Sequence, residues 1–566
     1  MIVALALAAC SSNGSALPSA SSALIPPTDS SNGASPSEPA SNVSTLPATT
    51  DSVSNPTTEN SPPSDSITRA SPAAPGRIVV ETDAAGVPLD RRLLGTNGPA
   101  WIGPSRLADP KFIKRVKDLG TTVLRMPGGS WSDSYHWLAC ENGDGTDCLW
   151  TWAARPSDYL GFLEATGIDG MWTVDANGTA QEAAALVAFF NGKVGDTMVI
   201  GVDRNGKDWG TVSTWATLRS AHGHPDPHPI EYWEVGNEVF AAGAKTAPGC
   251  ATFGWENYWT CDGTAYVNGS AAHDGERAFQ TAMKKVDPSI AVGAVGIGQS
   301  QSEWADFGTK VIEATGANLD FYVVHDYGFN QTPSASDALR RPAEAWPKVM
   351  AGPRASLKAR NPNRTVPIAI TEYNMFAFAD GDTSAMMSQA IAPLYIADSI
   401  GQMAGQGVAM ANQWNLLNGP NSTGSDYGML DPDTSAPKPQ YFALALWSRM
   451  GNDLVPVGVS ADLQKSLKVY AARSANGVVT MIVINESGNT VTTSIGLSGA
   501  TATYTGVANV ASATALDATK MTYNGSDLSD GTMADHPGST FATVVGSDVA
   551  RDVPPFSITL LTLIPH

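Results

Sequence analysis

The chain has 566 residues, of which 42% are hydrophobic and 16% are charged, and its formal net charge is −20. The apolar content is typical of a globular protein, and the length allows two folded domains and a tail. An acidic surface repels polyphosphate and no run of Lys or Arg occurs, so we expect no nucleic-acid partner. No apolar stretch is long enough to cross a bilayer as a helix.

The first ten residues resemble a bacterial lipoprotein signal. A short apolar start leads into Leu7-Ala8-Ala9-Cys10, which resembles a lipobox. The resemblance implies cleavage before Cys10 and attachment of a lipid to its sulfur. Residues 11–76 are mainly Ser, Thr, Pro, Ala and Asn, which predicts a disordered linker. We therefore expect an extracytoplasmic protein, either secreted or a cell-surface lipoprotein, that contacts the membrane only through Cys10.

The five cysteines agree with export from the cytoplasm. Cys10 is the odd one, and the others form two close pairs, Cys140 with Cys148 and Cys250 with Cys261. Each pair would close a short loop, as disulfides outside the cytoplasm do. A zinc site needs clustered ligands such as C-x-x-C, and neither pair has that spacing, so the sequence predicts two disulfides and no metal.

From Arg77 onward, strand-like and helix-like segments alternate along the chain. The predicted strands are residues 91–95, 122–126, 171–175, 230–235, 290–295, 319–325, 368–372 and 407–414. The predicted helices are residues 109–119, 156–165, 180–191, 275–286, 301–314, 338–359 and 385–403. Eight strands with helices between them predict an α/β fold, a (β/α)₈ TIM barrel over residues 91–450. The alternative, a doubly wound open sheet, usually has a Gly-rich phosphate turn after its first strand, and residues 94–98 match that turn poorly.

The helical pattern ends near Gly451. Apolar and polar residues alternate in segments 467–472, 478–485 and 490–497, and segment 555–564 is a further predicted strand. This pattern predicts a C-terminal all-β sandwich over residues 451–566. Residues 78–81, in the N-terminal segment 77–90, precede the barrel and need a sheet partner, so we expect them to join the sandwich.

Two glutamates lie where barrel strands end. Glu238 follows the fourth predicted strand and Glu372 ends the seventh. Because the C-terminal ends of barrel strands meet in one mouth, we expect the two side chains to face each other. Glycoside hydrolysis needs such a pair, one group to protonate the leaving oxygen and one to attack or to activate water. A single glutamate at a strand end is usually solvated or salt-bridged, but two behind apolar strands favour catalysis.

Several motifs also carry a family resemblance. They are Arg125-Met126-Pro127-Gly128-Gly129-Ser130, Asn177-Gly178-Thr179, Gly223-His224-Pro225-Asp226-Pro227, Glu234-Val235-Gly236-Asn237-Glu238 and Thr371-Glu372. They resemble the signatures of clan A retaining glycoside hydrolases and are most similar to family 51, the α-L-arabinofuranosidase family, with family 39 as a neighbour. The resemblance implies that Glu238 is the general acid/base and Glu372 the nucleophile.

Five further residues are candidates for substrate binding. The resemblance implies that Asn237 hydrogen-bonds the sugar 2-hydroxyl, that Tyr327 orients the nucleophile and that Arg125 contacts it. Next to the mouth, His325 either contacts a sugar hydroxyl or is a hydrogen-bonded wall residue. Trp414, at the end of the last predicted strand, is expected to be a sugar platform. No cofactor is expected.

These features predict a retaining glycoside hydrolase that acts on plant-type polysaccharides or oligosaccharides and is α-L-arabinofuranosidase-like. Family 51 carries a glutamate after its first strand that helps to hold arabinofuranose, whereas residues 95–101 contain no acid here. An endo-acting glucanase or xylanase of the same clan therefore stays open, as does a non-catalytic carbohydrate-binding lipoprotein. The presence of Glu238 and Glu372 argues against this last alternative. Glu234 is expected to have a structural ion-pair role.

Overall fold

The computed structural model describes residues 73–143, 151–251, 254–298, 304–500, 502–542 and 548–566. Two short strands come first, β1 (Arg77–Glu81) and β2 (Val87–Pro88). Cys10, Cys148 and most of the predicted linker lie outside the described residues, so the expectations for them remain predictions.

Eight parallel strands then close into a barrel. They are β3 (Gly95–Asn97), β4 (Val123–Met126), β5 (Asp169–Val174), β6 (Tyr232–Val235), β7 (Ala291–Val295), β8 (Phe321–Phe329), β9 (Ile368–Phe376) and β10 (Met410–Gln413). Neighbouring strands pair in parallel, with Trp172 beside Trp233. Between β8 and β9 the register shifts after Val324, which places His325 beside Glu372. The strands are apolar because helices cover the outside while side chains fill the inside. The predicted fold class is confirmed.

Helices surround the barrel and begin and end at recognisable signals. Asp109 accepts a hydrogen bond from the Lys111 amide at the start of the second helix, which ends at Gly120 in the left-handed conformation. The helices are α1 (Gly103–Leu107), α2 (Pro110–Leu119), α3 (Trp137–Asn142), α4 (Pro156–Thr166), α5 (Ala180–Asn191), α6 (Val212–Ala221), α7 (Gly263–Asn268), α8 (Glu276–Val286), α9 (Ala305–Thr315), α10 (Ala335–Arg360), α11 (Ile391–Gly405) and α12 (Tyr441–Trp447). None of the helices in the described ranges has the length and apolar character needed to span a membrane.

The first barrel strand differs from the prediction. Arg91–Leu94 forms a 3₁₀ helix, and the strand is only Gly95–Asn97. The side chain of Asp90 caps this 3₁₀ helix by accepting a hydrogen bond from the Arg92 amide. Leu93 and Leu94 are buried in this conformation, as they would be in a strand, so the apolar pattern alone does not separate the two structures.

Two further sheets lie beyond the barrel. Their remaining strands are β11 (Asp453–Val455), β12 (Val457–Val459), β13 (Leu467–Arg473), β14 (Val479–Asn485), β15 (Val491–Ser498), β16 (Tyr504–Ser512), β17 (Thr522–Tyr523), β18 (Ser539–Ala542), β19 (Val549–Val553) and β20 (Ser557–Pro565). One sheet has the order β12-β1-β15-β19; the other has the order β17-β16-β20-β14-β13-β11-β2, with β18 paired to β16.

The N-terminal strand belongs to these sheets. Ile78 of β1 pairs antiparallel with Val459 and parallel with Ile495. The apolar side chains between the sheets, among them Ile78 and Met481, form their own core. On the barrel side, the Tyr470 ring lies against α11, where a Cβ at Gly401 would be 2.2 Å from it. The sandwich therefore packs against α11.

Candidate active site

The two glutamates meet at the C-terminal end of the barrel. After β6, Gly236 has a φ of 82° and turns the chain, so that Glu238 follows the strand end. Glu372 lies within β9, which continues past it to Phe376. A carboxylate oxygen of Glu238, one of Glu372 and a ring nitrogen of His325 all lie within 4.8 Å of one another. The fold thus brings together the pair that the sequence singled out.

Glu372 is held from two sides. Its Oε1 accepts a hydrogen bond from Arg125 Nη1 at 2.8 Å, and its Oε2 accepts one from the Tyr327 hydroxyl at 2.6 Å. Burial raises the pKa of Glu372, while His325, Arg125 and the Tyr327 hydrogen bond act in the opposite direction. These contacts fix the carboxylate in one orientation and offset part of the cost of burying its charge.

Arg125 lies behind the pair and is completely buried. Its guanidinium forms an ion pair with Glu234 and also donates to Asn97 Oδ1 at 2.7 Å and to Asn237 Oδ1 at 2.9 Å. The structure therefore places Arg125 among protein groups, where its guanidinium contacts Glu372, Glu234, Asn97 and Asn237. Glu234 has the structural ion-pair role expected from its position.

Glu238 has a different environment. The Trp255 indole donates to its Oε2 at 2.6 Å, and His325 Nδ1 is hydrogen-bonded to its Oε1 at 2.9 Å. Burial raises the pKa of Glu238 to about 7, although the Trp255 hydrogen bond and Arg125 act to lower it. A carboxyl with this pKa can give a proton in one step and take one back in the next near neutral pH.

His325 uses both ring nitrogens on the protein. Nδ1 contacts Glu238, and Nε2 is hydrogen-bonded to the Thr371 hydroxyl at 2.9 Å. Burial lowers the pKa of His325, which favours the neutral ring. Of the two roles left open by the sequence, its placement matches the hydrogen-bonded wall residue.

Sequence reasoning missed Glu256. Its Oε1 accepts hydrogen bonds from Asn237 Nδ2 at 2.8 Å and from the Ser130 hydroxyl at 2.7 Å. Burial, together with the charge of Glu238, raises the pKa of Glu256 to about 7. Only its position between Cys250 and Cys261 marked it in the sequence, since no strand or helix pattern leads to it.

The disulfide predicted between Cys250 and Cys261 is confirmed. Cys250 and Cys261 are bonded, with their Cα atoms 5.9 Å apart. Cys140 is also disulfide-bonded, while its predicted partner Cys148 lies outside the described residues. The bonded pair closes the loop that carries Trp255 and Glu256.

A row of indoles leads from the mouth to the surface. Trp414 is nearly buried, and a Cβ at Gly129 would lie 2.6 Å from its ring, so only glycine fits there. Ring centroids follow at 5.8 Å from Trp414 to Trp101, 5.0 Å from Trp101 to Trp131 and 5.3 Å from Trp131 to Trp152. Trp152 is 43% exposed. Exposed indole faces are suited to stacking on sugar rings.

Within the part of the chain that the structure describes, one side-chain group has the spacing of a metal site, namely Glu238, His325 and Glu372. The Arg125 guanidinium lies 2.8 Å from Glu372 and would repel a second cation there. The hydrogen bonds already made by the three side chains favour proton transfer and nucleophilic attack over metal binding.

Sequence comparisons connect this barrel with arabinofuranosidases. A family model described as "Alpha-L-arabinofuranosidase 1 domain" matches residues 115–341. An intracellular exo-α-(1→5)-L-arabinofuranosidase of Halalkalibacterium halodurans is 24% identical over 306 residues, 50% of this chain and 53% of that protein. Its counterpart from Bacillus subtilis is 25% identical over 281 residues, 46% of this chain and 48% of that protein. The chain therefore spans about half the length of the curated relatives that it matches.

Solved structures share the fold over a wider range. An α-L-arabinofuranosidase from Thermotoga maritima has a TM-score of 0.63 and 18% identity, over 86% of this chain and 99% of that chain. A family 44 xyloglucanase from Paenibacillus polymyxa has a TM-score of 0.57 and 14% identity, over 87% of this chain and 99% of that chain. These likenesses show a shared fold. The family model and the curated relatives confirm the resemblance to the α-L-arabinofuranosidase family that the motifs predicted.

Proposed function

We propose that this chain is a retaining glycoside hydrolase of the α-L-arabinofuranosidase type, which cleaves O-glycosidic bonds by double displacement. The observation that carries the proposal is the facing pair Glu238 and Glu372, with carboxylate oxygens within 4.8 Å of each other. Retaining enzymes have carboxyl groups about 5–5.5 Å apart, whereas inverting enzymes need about 6.5–9.5 Å to admit a water molecule.

In the first step, Glu372 attacks the anomeric carbon while Glu238 gives its proton to the leaving oxygen. The glycosidic C–O bond breaks and an ester forms between the sugar and Glu372. Arg125 and Tyr327, hydrogen-bonded to Glu372, hold the attacking carboxylate in place. Glu238, whose pKa burial raises to about 7, supplies the proton.

In the second step, Glu238 acts as a base. It takes a proton from water, the water oxygen attacks the anomeric carbon from the face that the leaving group vacated, and Glu372 is released. Esterification has removed the negative charge of Glu372, so the repulsion that favoured a protonated Glu238 is gone. The pKa of Glu238 therefore falls at the stage where a base is required.

The proposed substrate is an arabinofuranosyl unit on a plant-type polysaccharide or oligosaccharide. The family model that matches residues 115–341 supports this sugar. A second candidate is endo-acting cleavage of a glucan or xylan, favoured by Trp152, which is 43% exposed at the outer end of the indole row. Trp414, Trp101 and Trp131 are buried, so Trp152 is the indole of this row whose face could stack on a sugar ring of a polysaccharide chain.

A substrate panel tests the proposal. Purified protein is incubated with aryl α-L-arabinofuranoside, β-D-xyloside and β-D-glucoside, and with arabinan, arabinoxylan, xylan and xyloglucan. We expect hydrolysis of the arabinofuranoside, with the α anomer released first when products are followed by NMR. Release of oligosaccharides from xylan or xyloglucan alone would support the endo-acting candidate. First release of the inverted anomer, or no hydrolysis of any substrate, would contradict the proposal.

We also propose that the protein works outside the cytoplasm, anchored by lipid at Cys10. The disulfide between Cys250 and Cys261 supports an oxidising compartment. Cys10→Ser should move the protein from the membrane fraction to the soluble exported fraction of the producing bacterium. An unchanged distribution between fractions would count against the anchor.

A further inference from the structure

Two adjacent loop residues contact two adjacent residues at the end of β6. Trp255 Nε1 donates to Glu238 Oε2 at 2.6 Å, and Glu256 Oε1 accepts from Asn237 Nδ2 at 2.8 Å. Both loop residues lie between Cys250 and Cys261. The disulfide-closed loop therefore reaches both residues of the Asn237-Glu238 pair from one side.

The loop itself is well anchored. The backbone amides of Trp255 and Glu256 both donate to the Ala241 carbonyl, at 3.0 and 3.2 Å. The Trp255 indole packs edge-on against Trp304, with ring centroids 5.3 Å apart. A second aromatic contact joins Trp255 and Phe378 at 5.7 Å. These contacts hold the indole N–H in line with the Glu238 carboxylate.

Asn237 is fixed at both ends of its amide. Its Oδ1 accepts from Arg125 and its Nδ2 donates to Glu256. An amide nitrogen has two N–H donors, so one remains for a ligand once the other is used by Glu256. The Ser130 hydroxyl donates to the same Glu256 oxygen at 2.7 Å, which keeps the acceptor in place. Without Glu256, only Arg125 would orient the amide.

We propose that Trp255 and Glu256 are positioning residues for the reaction, Trp255 acting through Glu238 and Glu256 acting through both Asn237 and Glu238. This inference rests on the proposed function. The inference assigns the disulfide-closed loop a part in catalysis. The family motifs do not include Trp255 or Glu256. Trp255 orients the Glu238 carboxyl and Glu256 orients the Asn237 amide, and neither side chain itself gives or takes the transferred proton.

The two residues act on Glu238 in opposite senses. The hydrogen bond from Trp255 stabilises the carboxylate and lowers the pKa of Glu238. The negative charge of Glu238 raises the pKa of Glu256. Because repulsion between two like charges is mutual, the negative charge of Glu256 in turn disfavours the ionised form of Glu238. The other titratable groups that face this pair are Asp133 of the 3₁₀ helix Ser130–Ser134, Arg125 of β4, His325 and Tyr327 of β8 and Glu372 of β9.

Because the two residues shift the pKa of Glu238 in opposite directions, the pH profiles of two variants test the inference. Trp255→Phe and Glu256→Gln are compared with wild type in the pH dependence of kcat/KM for a glycoside that the wild-type protein hydrolyses. The basic limb reports the pKa of the general acid in the free enzyme, and in wild type we expect it near pH 7 from the pKa of Glu238. The limb should move to higher pH in Trp255→Phe and to lower pH in Glu256→Gln.

We also expect kcat to fall by about 10- to 100-fold in each variant, because small displacements of reacting groups cost rates of that order. Trp259→Phe is the matched control: it makes the same substitution in the same loop, at an indole that stacks on His273 with centroids 4.6 Å apart. This control should keep the wild-type limb and kcat. Circular dichroism establishes that each variant is folded.

Limbs that stay in place in both folded variants, or that move in the same direction, would overturn the inference. If Trp255→Phe does not fold, Glu256→Gln decides the question, because the glutamine keeps an acceptor for Asn237 but carries no charge. Failure of the proposed function is distinguishable, since wild type would then hydrolyse no glycoside in the panel. An active wild type with unshifted variants contradicts only the roles of Trp255 and Glu256.

Discussion

Glu372→Ala is expected to abolish turnover on every glycoside, whatever its leaving group. Without this carboxylate no glycosyl-enzyme forms, so a better leaving group does not restore the retaining pathway. Steady-state rates on an aryl glycoside and on a natural oligosaccharide measure the loss. Added azide should restore activity only by direct attack on the substrate, which gives a glycosyl azide of inverted configuration.

Glu238→Ala should behave differently. A dinitrophenyl glycoside needs no protonation of its leaving group, so Glu372 should still be glycosylated and the intermediate should accumulate. Azide is already anionic and needs no base, so it should restore turnover and give a product of retained configuration. On a natural glycoside the loss should be about 10²- to 10⁴-fold or larger, the usual size of acid/base assistance.

The two variants check each other. Retained configuration in the azide product of Glu372→Ala would contradict the proposed roles. Equal loss by Glu238→Ala on activated and natural substrates would contradict them as well, since a general acid matters less when the leaving group is good. Asp380→Ala is a control at an exposed carboxylate beyond β9, and it should keep wild-type rates on both substrates.

Arg125→Met should cause the largest loss of stability. The guanidinium is completely buried and pairs with both Glu234 and Glu372, so its removal leaves two buried carboxylates without their cation. Breaking a buried pair from one side costs about 3–5 kcal/mol. The free energy of unfolding, measured with urea, should fall by that amount. Arg340→Met, at an ion pair with Asp337 in which both side chains are more than half exposed, should cost about 0–1 kcal/mol.

This loss should depend on pH. Burial raises the pKa of Glu372 and Arg125 opposes the rise, so the pKa of Glu372 rises further without Arg125. Above this raised pKa, the free energy of unfolding of Arg125→Met should be lower than that of wild type by the whole expected amount. The difference should shrink as pH falls, because protonation removes the unpaired charge of Glu372. The acidic limb of activity should move to higher pH for the same reason. A deficit as small as that of Arg340→Met would contradict the buried role of Arg125.

The barrel was predictable because its strands are buried on both faces. Such strands appear in a sequence as short apolar runs, and a glutamate at the end of a run is easy to recognise. For β9, the seventh barrel strand, the apolar pattern did not predict where the strand ends. It was predicted to end at Glu372 but continues to Phe376, since Glu372 and Asn374 are polar residues buried by the site itself. Polarity suggested a loop where the fold has a strand.

Two residues next to Glu238 were not predictable from the pattern. Trp255 and Glu256 lie 17 and 19 positions from the residues that they contact, in a loop without helical or strand periodicity. Their approach depends on how the loop folds back to the Ala241 carbonyl. The sequence pattern also did not predict that Arg125 pairs with both Glu234 and Glu372. This contact forms only when three strands come together in the barrel. Patterns report burial, whereas these contacts depend on three-dimensional geometry.

The pairing of β1 also sets an order of events during synthesis. Ile78 lies beside Val459 and Ile495 in the finished sheet. With 566 residues in the chain, the earliest described strand has no partner in this sheet until about four-fifths of the chain has been translated. All eight barrel strands have been synthesised by then, while the backbone N–H and C=O groups of residues 77–88 are still unpaired. Such an edge is open to wrong partners. A chaperone that shields the nascent N-terminal segment should therefore raise the folded yield more than one that acts on the finished barrel.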